Sequence, residues 1–191
     1  MMEDIGTHAL KSRRLLLRRF MMSDDDQMFK NWCYDARVTT YLTWEPHENK
    51  RVTQSILRSW VDDYAKPFTY RWAIVNIKDN CVIGSIDCVD VDQLNESASI
   101  GYCLSYDYWN QGIMSEALKL VIQFLFERVG FHRIEARHVS DNVSSGKVME
   151  KAGMIKEGVF RKSERKQDGP FMDMVYYAIL KEDYIEKIDR R

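Results

Sequence analysis

Apolar residues change their spacing several times along the chain, and each change marks an element. Residues 14–20 (Arg-Leu-Leu-Leu-Arg-Arg-Phe) form a short apolar run between charges, which predicts a first strand. Ser23, followed by Asp24, Asp25 and Asp26, reads as an N-cap with an acidic first turn, and Met28, Phe29 and Trp32 then share one helical face. Val52, Ile56, Leu57, Trp60, Val61 and Tyr64 recur at helical spacing, predicting a second amphipathic helix that Pro67 ends. Three β-rich runs follow at 70–77, 81–91 and 96–104, joined by short polar stretches that imply antiparallel hairpins. Gly84 and Gly101 interrupt these runs, as glycines do at bulges or close backbone approaches.

From about Gly112 to Val129 the pattern is helical and apolar on most sides. Only Ser115, Lys119, Gln123 and Glu127 form a polar i, i+4 stripe, so the helix must pack against a sheet. Gly130 ends it, and 132–139 alternates as a strand with His132 and His138 structural or solvent-facing. Residues 141–153 read as a short capped helix, 155–166 and 170–180 as a hairpin, and 181–188 as a last helical turn or two. The first eleven residues carry no pattern and are expected to be a loose arm.

Composition narrows the class. With 191 residues, 45% hydrophobic and 12% aromatic, the chain can bury a substantial core in one domain spanning 1–191. Lys+Arg 28 against Asp+Glu 29, a formal charge of −1, argues against nucleic acid as substrate and against a polybasic membrane surface. No apolar run reaches the ~20 residues of a membrane span, so a cytoplasmic protein is expected. Cys33, Cys81, Cys88 and Cys103 lack the pairing of a zinc site or the density of a disulfide scaffold, so reduced thiols and no metal are expected. Cys103, on an apolar strand, reads as a buried structural thiol rather than a nucleophile.

One stretch carries candidate chemistry. Residues 108–118 (Tyr-Trp-Asn-Gln-Gly-Ile-Met-Ser-Glu-Ala-Leu) join the 96–104 strand to the long helix. A helix start offers free N–H groups and a positive dipole end, and Gly112 permits a phosphate to approach. A single glycine before a helix is more often a plain turn residue.

The stretch resembles the acyl-CoA pyrophosphate loop of the GNAT N-acyltransferases. The general pattern of that superfamily has Arg or Gln, Gly, and Gly or Ala where this chain has Trp109, Gly112 and Met114. The form used by the ribosomal-protein acetylating (RimJ/RimL-like) branch is matched at Tyr108, Trp109, Gly112, Ser115, Glu116, Ala117 and Leu118. Asn142, Ser145, Lys147, Gly153 and Met154 resemble the second GNAT signature, and Glu157-Gly158, then Asp168-Gly169 with Asp173, resemble the closing segments.

The resemblance implies an α/β fold with a mixed, mainly antiparallel sheet of about seven strands flanked by helices. It implies acetyl-CoA as co-substrate, held by Tyr102, Cys103, Leu104, Gln111, Gly112, Ile113, Met114, Ser115, Asn142, Ser145 and Lys147. The 102–104 strand end would be splayed, with an oxyanion-binding N–H near Cys103 or Leu104. Ser145 would protonate the leaving sulfur, and Glu164 would take the amine proton directly or through water. The acceptor is then a primary amine, a protein N-terminus or alternatively a small amine such as an antibiotic or polyamine, and a non-catalytic acyl-CoA sensor is a further alternative. The aromatic segment with Tyr41, Leu42, Trp44 and Pro46 is either a packed loop or the acceptor-side wall, and a homodimer is left open.

Overall fold

A computed structural model describes residues 2–166 and 169–189. The strands are β1 (Leu10–Lys11), β2 (Leu15–Arg18), β3 (Arg71–Asn76), β4 (Cys81–Asp92), β5 (Ser97–Leu104), β6 (Arg133–Val139), β7 (Ile155–Arg165) and β8 (Phe171–Leu180). They form one 8-stranded sheet in the order β1-β2-β3-β4-β5-β6-β8-β7. The added strand relative to the expected seven is β1, only 2 residues long. Every neighbouring pair is antiparallel except β5 with β6.

That parallel pair requires a crossover, which α4 (Ile113–Phe124) supplies before ending in a π turn, Leu125–Val129. Gly130 closes the turn at φ 91°. Ala117, Leu118, Val121, Ile122 and Leu125 from this segment are buried against Trp72, Ile74, Ile86, Ile100 and Ile134 of the sheet. Lys119, Gln123 and Glu127 face solvent as the stripe predicts, whereas Ser115 is buried.

On the opposite face, α1 (Asp25–Met28) with its π turn Phe29–Cys33, α2 (Ala36–Thr39) and α3 (Lys50–Asp63) cover the β2–β4 end. Met28, Trp32, Cys33, Val38 and Leu57 pack there on Ala73, Val75 and Val82. Asn49 caps α3 by accepting the Arg51 N–H at 3.0 Å. Ser23 does not cap α1. The Asp24 carboxylate accepts the Met21 N–H at 2.8 Å and pairs with Arg18 at 2.7 Å, because a buried carboxylate needs both partners. α5 (Val143–Ala152) packs against β6–β8 and α4, and α6 (Lys181–Asp189) follows β8. β7 is exposed along almost its whole length.

The amino-terminal residues depart from the expected loose arm. Thr7 is buried, its hydroxyl donating to Thr69 O at 2.8 Å. Trp72 Nε1 donates to His8 O at 2.7 Å, and Glu3 N to Val129 O at 2.8 Å. These backbone partners lie on elements distant in sequence, so local pattern gave no sign of them.

Candidate active site

β5 and β6 are paired only from Ser97↔Arg133 to Ile100↔Ala136. Beyond that point β5 continues on β4 alone and β6 on β8 alone, so a gap opens between two formerly parallel strands. Side-chain-free Gly84 lets β4 and β5 lie close, since a Cβ there would sit 2.4 Å from Cys103 O. Cys103 O therefore turns toward β4, and Ser105 N donates to Ile83 O at 2.8 Å. By the alternation of an extended strand, the N–H and C=O of Tyr102 and the N–H of Leu104 face the gap, while the Leu104 C=O accepts from Trp109 Nε1 at 2.8 Å. Of the three expected strand residues, Cys103 thus turns its backbone away. Its thiol borders the cleft 3.2 Å from Ser85 Oγ, and burial pushes it up to about 11, so it stays protonated at neutral pH.

The gap leads to the start of α4. Asn110 (φ 60°) and Gly112 (φ 72°) are both left-handed, which turns the chain sharply into the helix. Ile113 and Met114 are buried in the core and also border the cleft. Gln111 Nε2 donates to Asp107 O at 2.8 Å, and Arg14 Nη1 to Gln111 O at 3.0 Å.

Across the gap stands the start of α5. Asn142 caps it, its side chain accepting the Ser145 N–H at 3.2 Å. Ser145 Oγ lies 2.8 Å from Tyr102 OH, which also donates to Ser145 O at 3.1 Å. Burial pushes the Tyr102 phenol up, so it remains a donor at neutral pH. Gly146 lets the helix approach β6, because a Cβ there would meet His138 Nε2 at 2.7 Å. Lys147 and Lys151 are exposed on the cleft rim.

The gap, the loop and α5 border one cleft of about 760 Å³ that continues to the other sheet face. Tyr41, Leu42, Trp44 and His47 line it there, so the aromatic loop is a wall of the cleft. Glu164 reaches the same cleft because β7 bulges between Phe160 and Glu164, with Lys162 at φ 50°. Its carboxylate is ion-paired with Arg137, whose Nη1 donates to Ser99 Oγ at 3.3 Å. A second carboxylate, Asp87, lines the cleft opposite Gly101 and pairs with Arg71 at 3.2 Å. Burial pushes Asp87 up while Arg71 opposes it. Lys166 of the hairpin meets Glu45 of the wall at 2.9 Å, joining the two sides.

Residues 14–155 match the family model described as Acetyltransferase (GNAT) domain. The chain belongs to the GNAT acetyltransferase family. It is 30% identical over 176 residues to the uncharacterized N-acetyltransferase p20 of Bacillus licheniformis, covering 92% of this chain and 98% of that one. It is 26% identical over 149 residues to the ribosomal-protein-serine acetyltransferase of Escherichia coli, covering 78% and 79%. The crystal structure of a GNAT-family acetyltransferase from Bacillus anthracis superposes with a TM-score of 0.82 at 28% identity, over 92% of this chain and 99% of that one.

As a GNAT acetyltransferase the chain is an acyltransferase with the family's mixed sheet flanked by helices. Among the described residues no helix is long and apolar enough to cross a membrane. Sequence reading missed Arg14, Arg71, Asp87 and Arg137. Each lies within or next to a strand whose apolar pattern dominates, and each gains its partner through cross-strand register or a long-range contact. Asp168 of the closing hairpin lies outside the described residues; Asp173 is placed, accepting the Lys162 N–H at 2.8 Å.

Proposed function

We propose that this GNAT acetyltransferase moves an acetyl group from acetyl-CoA directly to the primary amine of a protein N-terminus. The observation that carries this reading is the open β5/β6 gap, which runs from the helix start at Gly112 to the Ser145–Tyr102 pair. The residues fit acetyl-CoA. The gap-facing backbone groups of Tyr102 and the N–H of Leu104 suit an amide-bearing pantetheine arm, and the α4 start suits a pyrophosphate. Lys147 and Lys151 add positive charge at the rim. Support for a protein acceptor comes from the similarity to the Escherichia coli ribosomal-protein-serine enzyme.

In the proposed reaction the neutral amine attacks the thioester carbonyl carbon and a C–N bond forms. The oxyanion meets the N–H of Leu104 or Tyr102; one such donor is typically worth about 3 kcal/mol. The C–S bond then breaks, and the sulfur takes a proton from Ser145, which Tyr102 replaces through their 2.8 Å hydrogen bond and regains from solvent. The amine proton leaves to Glu164, directly or through water. The balance is one ammonium and acetyl-CoA to one amide, free CoA and one proton.

The test is CoA release from acetyl-CoA with three acceptor sets: short peptides with free N-termini, polyamines and aminoglycosides. Turnover of the peptides is expected. Release with the small amines alone would move the acceptor class, and tight acetyl-CoA binding without release from any acceptor would leave a sensor domain.

A further inference from the structure

Arg14, just before β2, is far in sequence from the pyrophosphate loop yet is tied to it at three points. Its Nε and Nη2 donate to Glu116 Oε2 at 2.8 Å and 2.5 Å, and its Nη1 donates to Gln111 O at 3.0 Å. The other Glu116 oxygen accepts from Ser12 Oγ at 2.5 Å. Although burial works the other way, the hydrogen bonds from Ser12 and Arg14 hold the Glu116 carboxyl below its ordinary range, so it is a full negative charge in the first turn of α4. Neither Arg14 nor Glu116 borders the cleft that Gln111's neighbour Gly112 lines.

Two physical consequences follow. The Gln111–Gly112 peptide is trans, so its C=O and N–H point in opposite directions. With the C=O fixed on Arg14, the Gly112 N–H is turned to the opposite side. Separately, a carboxylate at a helix start is favourable for the dipole but repels a bound anion, and Arg14 with Ser12 draws this one away and neutralises it.

We propose that Arg14 is a positioning residue for the acyl-CoA site: it fixes the Gln111–Gly112 peptide with its N–H toward the pyrophosphate and holds the Glu116 charge away from it. The proposal rests on the acetyl-CoA reading above. Arg14 acts through the loop and touches no reacting atom, so its loss must weaken the phosphate-bearing donor while sparing the chemical step.

The experiment compares two donors on the full chain: acetyl-CoA, and S-acetylpantetheine, which carries the same thioester without the pyrophosphate. For Arg14→Gln, acetyl-CoA affinity by calorimetry falls about tenfold, in line with losing charge-assisted bonds, while kcat at saturating acetyl-CoA changes less than about twofold. Its kcat/KM for S-acetylpantetheine is also within about twofold of wild type. The double variant Arg14→Gln/Glu116→Gln, which removes the freed charge, regains at least about threefold in acetyl-CoA affinity. Arg14→Lys keeps a cation but lacks the fork that reaches both Glu116 and Gln111, and shows a smaller loss confined to acetyl-CoA. It serves if Arg14→Gln fails to fold. Unchanged acetyl-CoA affinity in the variants, or equal losses with both donors, overturns the proposal. A wild-type chain that binds no acetyl-CoA would instead overturn the cofactor reading itself.

Discussion

Placing a carboxylate at Gly112 should damage acetyl-CoA binding by a predictable amount. Gly112 has φ 72°, and among the described residues, its chain neighbours apart, the only heavy atom within 4 Å of a Cβ there would be Arg14 Nη2 at 3.8 Å, so a side chain has room and the constraint is the backbone. Left-handed φ costs about 1–2 kcal/mol for most L-residues but less for Asn and Asp. Gly112→Asn and Gly112→Asp should therefore fold with similar, modest losses in Tm. They differ in charge. At a separation of about 5 Å, one charge pair is worth about 1 kcal/mol in water and about 3 kcal/mol at an effective dielectric of about 20. Position 112 is exposed, which favours the lower figure. Against a pyrophosphate of about two charges, the Asp variant should lose about 2 kcal/mol, or roughly 10- to 50-fold in affinity, relative to Asn. The nearby Arg14 offsets part of this. Calorimetry with acetyl-CoA on wild type, Asn and Asp proteins measures the gap. It should shrink at 1 M salt, where the Debye length is about 3 Å. Equal affinities for the Asn and Asp variants would remove the pyrophosphate from this turn.

Ser145→Ala should lower kcat by at least about tenfold with little change in Tm, because Asn142 remains to cap α5; a loss matching only the folded fraction would leave Ser145 a structural residue. Glu164→Gln keeps an oxygen for Arg137 but removes the negative charge, and should reduce kcat/KM for the amine at least about tenfold at neutral pH, less at higher pH where more amine is neutral; a wild-type pH–rate profile would return Glu164 to a purely ionic partner of Arg137. Burial lowers the folded-state values of His47 and His138 below the ordinary 6.5. The unfolded chain then binds more protons, so the stability these residues contribute is present above pH 6.5 and is lost as pH falls through their folded values. Urea midpoints should decline as pH falls below 6.5, and His47→Gln should flatten part of that decline; identical slopes for the two proteins would contradict it.

Much of the architecture was legible from local pattern because the forces that form each element act over a few residues. The apolar circumference of α4, its end at Gly130, the three antiparallel strands before it and the Asn142 cap each follow from spacing or from one residue's conformational preference. The turn at Gly112 was legible for the same reason, since only a few residue types sit readily at φ 72°. Tertiary structure alone decided the rest. Whether the 102–104 backbone faces the gap or β4 depends on strand alternation and on the approach at Gly84, and a shift of one residue would exchange Cys103 with its neighbours. Glu164 enters the cleft only because of a bulge, and Arg14 meets Gln111 and Glu116 across about a hundred residues of chain. The amino-terminal residues looked patternless because their partners, such as the Thr69 carbonyl and the Trp72 indole, are remote in sequence, which no periodicity records. Sequence determines where a helix or turn can form through short-range sterics and burial. Which charges meet, and which backbone groups are left facing a substrate, is decided by register and packing between elements that only the folded chain brings together.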